Sequence, residues 1–120
     1  MVAQDVADRI IGWWVDLEHV DWDRDGAVVR IPVEKADVKV KFGVSRAKGP
    51  GVYRHQLTLR EVTDLAVEHD GGYPFAQPIE GVVLDVAKGD IHMSLGFGST
   101  LLVRTRSLDA GVVILEMRSV

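Results

Sequence analysis

Between residues 3 and 19 the apolar side chains Val6, Ile10, Trp13 and Leu17 recur at spacings of four, three and four. That is the stripe one helical face turns toward a core, so the sequence predicts a helix over 3–19. Gly12 interrupts its interior, and Ile11, Trp14 and Val15 fall off the stripe. Adjacent indoles at Trp13 and Trp14 would project about 100° apart on a helix. One flat contact surface cannot take both, which predicts that one of them is half exposed or that the helix sits in a groove.

Past residue 26 the period changes to two. A strand is predicted over 27–33 and another over 37–43, where Val38, Val40 and Phe42 alternate with Asp37, Lys39 and Lys41. Gly49-Pro50-Gly51 forces a turn before a long run over 52–69. In that run Tyr53, His55, Leu57 and Leu59 share a face, Glu61 breaks the register, and Leu65, Val67 and His69 resume it. A bend or bulge near 61–64 reconciles the two halves. Residues 70–77 read as a loop carrying Tyr73 and Phe75. The last third predicts a meander of strands over 81–87, 91–97, 101–106 and 112–117, joined by short glycine-bearing turns. Val82, Leu84, Val86, Ile91, Met93, Leu95 and Phe97 supply its inner faces.

An open sheet of about seven strands would leave long edges and an uncovered apolar face. The expected fold is therefore mainly β, of the α+β class: an N-terminal helix packed on an antiparallel β-sandwich or a partly open barrel. With 20 valines in 120 residues, composition supports the strands. The length suits a single domain over 1–120. There is no cysteine, which excludes disulfides, thiolate zinc sites and a cysteine nucleophile. The first five residues are acidic where a secretory signal would be basic, and no apolar run is long enough to span a bilayer. The expectation is a soluble, cytoplasmic protein.

The net charge of −4 hides an alternation: −5 over residues 1–34, +6 over 35–60, −6 over 61–90 and +1 over 91–120. Lys39, Lys41, Arg46, Lys48 and Arg54 lie in the positive block, where alternating lysines would form a cationic stripe beside Tyr53. An acidic pI near 5.5 argues against nucleic acid as the partner. The reading preferred for these lysines is a solvated strand that blocks edge pairing, its charge neutralised across the fold by the acidic 61–90 segment.

Candidate chemistry is thin. Asp21-Trp22-Asp23-Arg24-Asp25-Gly26 opens as a calcium loop does, with carboxylates at alternate positions and a glycine for the turn. Pro32 then stands where a bidentate glutamate should close the shell. Asp21, Asp23 and Asp25 are kept as candidate calcium ligands against an ordinary turn; no other cofactor is expected. The four histidines show no metal-ligand spacing. His55 and His69 share the apolar side of one strand region with Tyr53, so a small-ligand pocket built on these three is the alternative reading. No serine sits in a nucleophile elbow, and no phosphate-binding glycine loop is present.

The functional expectation is a small non-catalytic module, regulatory or immunity-like, that binds another protein. Trp14, Tyr73 and Phe75 would be its aromatic anchors and Lys39, Lys41, Arg46, Lys48 and Arg54 its charged surface. The competing expectation is a metal- or small-ligand-binding β domain, with or without catalysis. Pairing of the 112–117 edge across a two-fold axis would make a homodimer.

Overall fold

The first helix stops well short of its apolar stripe. In the computed structural model, which describes residues 3–34, 55–69, 71–108 and the backbone of 112–116, helix α1 spans Ala3–Ile10 rather than 3–19. Gly12 is the reason. It adopts φ +85, the left-handed conformation that ends helices, and its N–H donates to the Ile79 carbonyl at 2.9 Å. The chain thereby leaves the helix and enters strand β1, Trp14–Asp16. Trp13 and Leu17 are still buried, as the stripe requires, but through a bend and a 3-10 turn over Leu17–His19.

Eight further strands follow: β2 (Asp21–Asp23), β3 (Val28–Glu34), β4 (His55–Leu59), β5 (Val62–Glu68), β6 (Ala76–Asp85), β7 (Asp90–Leu95), β8 (Thr100–Thr105) and β9 (Val112–Glu116). All pair antiparallel in the order β5-β8-β7-β6-β1-β3-β4-β9, with β2 added beside β3. The fold is mainly β, with an N-terminal helix and a sheet nearly closed into a barrel. The strand predicted over 37–43 lies outside the described residues.

Two corners bend this sheet. In β6, residues 76–78 pair with β1 and the remainder with β7, with a register shift between Ile79 and Gly81 at Glu80. One long strand thus serves both halves, as bulged strands do at barrel corners. The run predicted over 52–69 breaks into β4 and β5 at Arg60–Glu61, where Glu61 takes φ +55. Hydrogen bonds from Val62 N to Ala27 O at 2.8 Å and from Arg106 N to Glu61 O at 3.0 Å fix this second corner.

Between the halves lies the core, with Val15, Val29, Ile31, Val33, Leu57, Leu59, Ile79, Met93, Leu101 and Val103 fully buried. Helix α1 plugs the opening, setting Val6, Ala7 and Ile10 against Leu57, Val82, Leu84, Ile91 and Met93. Each fully buried aliphatic side chain contributes about 1.5–3 kcal/mol, so the short helix is held by this face rather than by propensity.

The C-terminal meander is corrected in two respects. Strand β9 pairs with β4, not β8. Beyond β8, Arg106 N donates to Glu61 O at the β4–β5 corner and Leu108 is buried. Val86, predicted to face inward, lies in the turn after β6 and is largely exposed. Among the described residues no helix is long and apolar enough to cross a membrane.

Candidate functional site

Strand β1 is short, but its outer face organises the most distinctive surface of the protein. Val15 points into the core, so Trp14 and Asp16 fall on the opposite side. Trp14 stands between Glu34 on β3 and Pro78 on β6, and Asp16 stands opposite Ala76. Directly opposed residues in an antiparallel pair share a face. Glu34, Trp14 and Pro78 therefore form one row across the outside of the sheet.

Aromatic rings are added to that row from two loops. The predicted inner position of Phe97 is overturned: β7 ends at Leu95, and the turn over 96–99 carries Phe97 outward, edge-on to Trp14 with centroids 6.4 Å apart. Gly96 makes this possible. A β-carbon there would stand 2.6 Å from Pro78 Cγ, so only a glycine lets the turn lie on the Pro78 ring. Tyr73 then stacks on Phe97, centroids 5.6 Å apart and planes 12° from parallel. Phe75, in the same loop, stacks on His69 at 4.2 Å, and His69 Nε2 donates to the Pro74 carbonyl at 3.3 Å. Tyr73 is 50% exposed and Phe75 44%. Apolar rings left this open to water mark either a lid or a contact surface.

What holds the two loops together is Gln77, a fully buried polar side chain on β6. Its Nε2 donates to the Pro74 carbonyl at 2.9 Å and to Ser99 Oγ at 2.8 Å, and its Oε1 accepts from Phe97 N at 3.3 Å. One amide thus ties the loop that carries Tyr73 to the turn that carries Phe97. A third tie, Leu17 N to Phe75 O at 3.1 Å, anchors the loop to the end of β1. The platform is prearranged from beneath, and its rings have little ordering left to lose on contact with a partner.

Beside the platform, Asp16 caps the 3-10 turn. Its Oδ1 accepts from Glu18 N at 3.0 Å and its Oδ2 lies 2.7 Å from His19 Nδ1, with the carboxylate wholly excluded from solvent. Asp16, Glu18 and His19 place one ligand atom each within 4.8 Å of one another, the one such group among the described residues. Both oxygens of Asp16 already serve the turn and the imidazole, so the arrangement first of all fixes the His19 ring. No described hydroxyl is hydrogen-bonded to His19, and the group lacks a nucleophile.

Other candidates from the sequence are scattered. Asp21 pairs with Arg30 at 3.3 Å, Asp23 accepts from Gly26 N at 3.1 Å, and Asp25 lies in the hairpin turn between β2 and β3. These three carboxylates do not form a ligand group among the described residues. His55 packs tilted against Trp13, with ring centroids 5.1 Å apart and planes at 59°, whereas His69 stacks on Phe75, so the two imidazoles serve different aromatic partners. Tyr53, Lys39, Lys41, Arg46, Lys48 and Arg54 lie outside the described residues.

At the other end of β7 and β8, Lys88, Arg104 and Arg106 line an open groove with Thr63 and Leu108. Arg104 grips Asp90 through Nε at 2.7 Å and Nη2 at 3.1 Å. That hydrogen-bonded guanidinium holds the Asp90 carboxyl below the usual aspartate range and is itself raised.

The structure brings Trp14 and Tyr73 together through Phe97, a residue whose outward role sequence reasoning missed. Its signal was an aromatic flanked by glycines in Gly96-Phe97-Gly98, a turn rather than the end of a strand. Gln77, Asp16, Glu18 and His19 were also missed as parts of the site; of these, only an aspartate two residues before a backbone N–H left a local mark, that of an N-cap. The chain matches no protein-family model, no curated protein and no solved structure, so the chemistry of this surface has to be read from its geometry.

Proposed function

We propose that this chain is a small non-catalytic module that binds another protein through the Trp14–Phe97–Tyr73 platform, extended by Phe75. One observation carries the reading: Trp14 and Tyr73 both pack against Phe97 on the outer surface, an arrangement secured from inside by the three hydrogen bonds of Gln77. Rigid aromatic anchors of this kind supply much of the energy of protein interfaces at low entropic cost. Among the described residues His19 Nδ1 is engaged by Asp16 and Arg104 by Asp90, which leaves the aromatic platform as the feature that supports the reading.

The test is affinity capture of a partner, followed by titration of that purified partner against Trp14→Ala, Tyr73→Ala and Phe75→Ala. Binding should weaken about tenfold or more for Tyr73→Ala, a change of about 1.4 kcal/mol. Unfolding midpoints of Tyr73→Ala and Phe75→Ala should stay within about 0.5 kcal/mol of the parent. Unchanged affinity in all three variants, or loss of the fold in all three, would overturn the proposal.

A further inference from the structure

Aromatic faces carry negative electrostatic potential, and the charged side chains that the described residues set around this platform are carboxylates. Glu34 shares the outer face with Trp14 as its direct cross-strand neighbour. Glu80, exposed at the β6 corner, brings Oε1 to 3.5 Å from where a Gly96 β-carbon would lie, one residue from Phe97. Glu68 ends β5 opposite Thr100, just before His69, and Glu18 is exposed beside Asp16. Among the described residues no lysine or arginine lies over Tyr73 or Trp14. Arg24 covers Trp22 at 4.6 Å, Arg30 is paired with Asp21, and Lys88, Arg104 and Arg106 line the groove at the far end of β7 and β8. A six-residue strand places that groove about 20 Å away.

We infer that the occupant of the platform is a basic segment of the partner protein, in which an arginine or lysine side chain lies over the exposed ring of Tyr73 or the half-buried ring of Trp14 and within reach of Glu34 and Glu80. This rests on the protein-binding reading of the same surface and adds the chemistry of the partner. Two attractions act together there. A cation over an aromatic face gains roughly 0.5–2 kcal/mol, more as water is excluded. Carboxylates that make no ion pair among the described residues gain a counter-charge, which steers approach and rejects acidic segments. A guanidinium suits the site better than an ammonium, since it can lie flat on a ring while donating in its plane to a carboxylate.

A hexapeptide with two arginines, and the same peptide with both replaced by citrulline, separate charge from shape. Each is titrated against the parent chain and against Tyr73→Ala, Glu34→Gln/Glu80→Gln and, as a distant control, Lys88→Ala, with thermal unfolding confirming that each variant is folded. The arginine peptide should bind the parent at least about tenfold more tightly than the citrulline peptide, with affinity falling as salt rises from about 0.05 to about 0.5 M. Tyr73→Ala and the double glutamine variant should each remove most of that difference, and Lys88→Ala none of it. Equal binding of the two peptides, lost in Tyr73→Ala, would overturn the basic occupant and leave the platform standing. Arginine-peptide binding that survives both Tyr73→Ala and the double glutamine variant would overturn both readings. No binding of either peptide at millimolar concentration would overturn the basic occupant.

Discussion

Gln77 Nε2 stands 2.8 Å from Ser99 Oγ, joining two buried polar side chains 22 residues apart in the chain. The pair links strand β6 to the turn that presents Phe97. It also explains why a fully buried amide is tolerated at a barrel end, since the Gln77 amide is hydrogen-bonded through both of its heavy atoms.

Gln77→Leu keeps the side-chain volume but removes those bonds, leaving Phe97 N without its amide acceptor and Ser99 Oγ without its amide donor. The expected cost is about 2 kcal/mol in urea unfolding, the penalty of buried polar groups losing partners. Loosening of the loop should show as faster amide exchange at Tyr73 and Phe97, with the β3–β4 ladder unaffected. Equal exchange in parent and variant would mean that the loops are held by other contacts.

Gly96→Ala tests the platform from the other side. The added methyl would meet Pro78 Cγ at 2.6 Å and Cδ at 3.1 Å, and a proline ring in a paired strand has little freedom to yield. The turn over 96–99 must lift, separating Phe97 from Trp14. A loss of about 1–3 kcal/mol is expected, together with changed ring-current shifts on the Trp14 indole and weaker partner binding. A variant as stable as the parent, with an unmoved Trp14 resonance, would show that the turn does not rest on Pro78.

Most strands were legible because alternation survives wherever one face is buried. In β7, Ile91, Met93 and Leu95 are buried while His92 and Ser94 are exposed. Strand β1 was hidden, since three residues are too few for a period and Val6, Ile10, Trp13 and Leu17 imitate a longer helix. The stripe reported burial correctly but not the element that achieves it; the positive φ of Gly12 decides that. In β6 the corner at Glu80 was invisible because its effect is to transfer one strand between two partners, a tertiary relation with no local pattern. Of the site, exposed aromatics in a loop were legible as residue types. Their assembly on Phe97 was not, because stacking across residues 73 and 97 depends on closure of the barrel end.

Asp16→Ala removes a cap and the imidazole's partner at once. Loss of the bond to Glu18 N costs about 1 kcal/mol as an N-cap deletion, and the freed His19 ring adds a comparable amount. A total near 2 kcal/mol is expected by chemical denaturation. Asp16→Asn retains the oxygen that accepts from Glu18 N and should recover about half of it. If Asn were as damaging as Ala, the carboxylate charge facing His19 rather than the cap would dominate.

Acid sensitivity should trace in part to Asp90. Its folded carboxyl is depressed chiefly by the hydrogen bond from Arg104, which outweighs the opposing cost of desolvation, with smaller help from the charges of Arg104 and Lys88. A depressed carboxylate stabilises the fold fully above the ordinary aspartate value of about 4, and that contribution is lost as pH falls through the lower folded value. Asp90→Asn should therefore lower the melting temperature at pH 7, with the gap to the parent closing as the pH drops below about 4. The exposed guanidinium makes the effect salt-dependent, so added salt should narrow the gap at neutral pH as well. A gap that stays constant from neutral to acid pH would mean that Asp90 contributes by shape at the start of β7 and not through its charge.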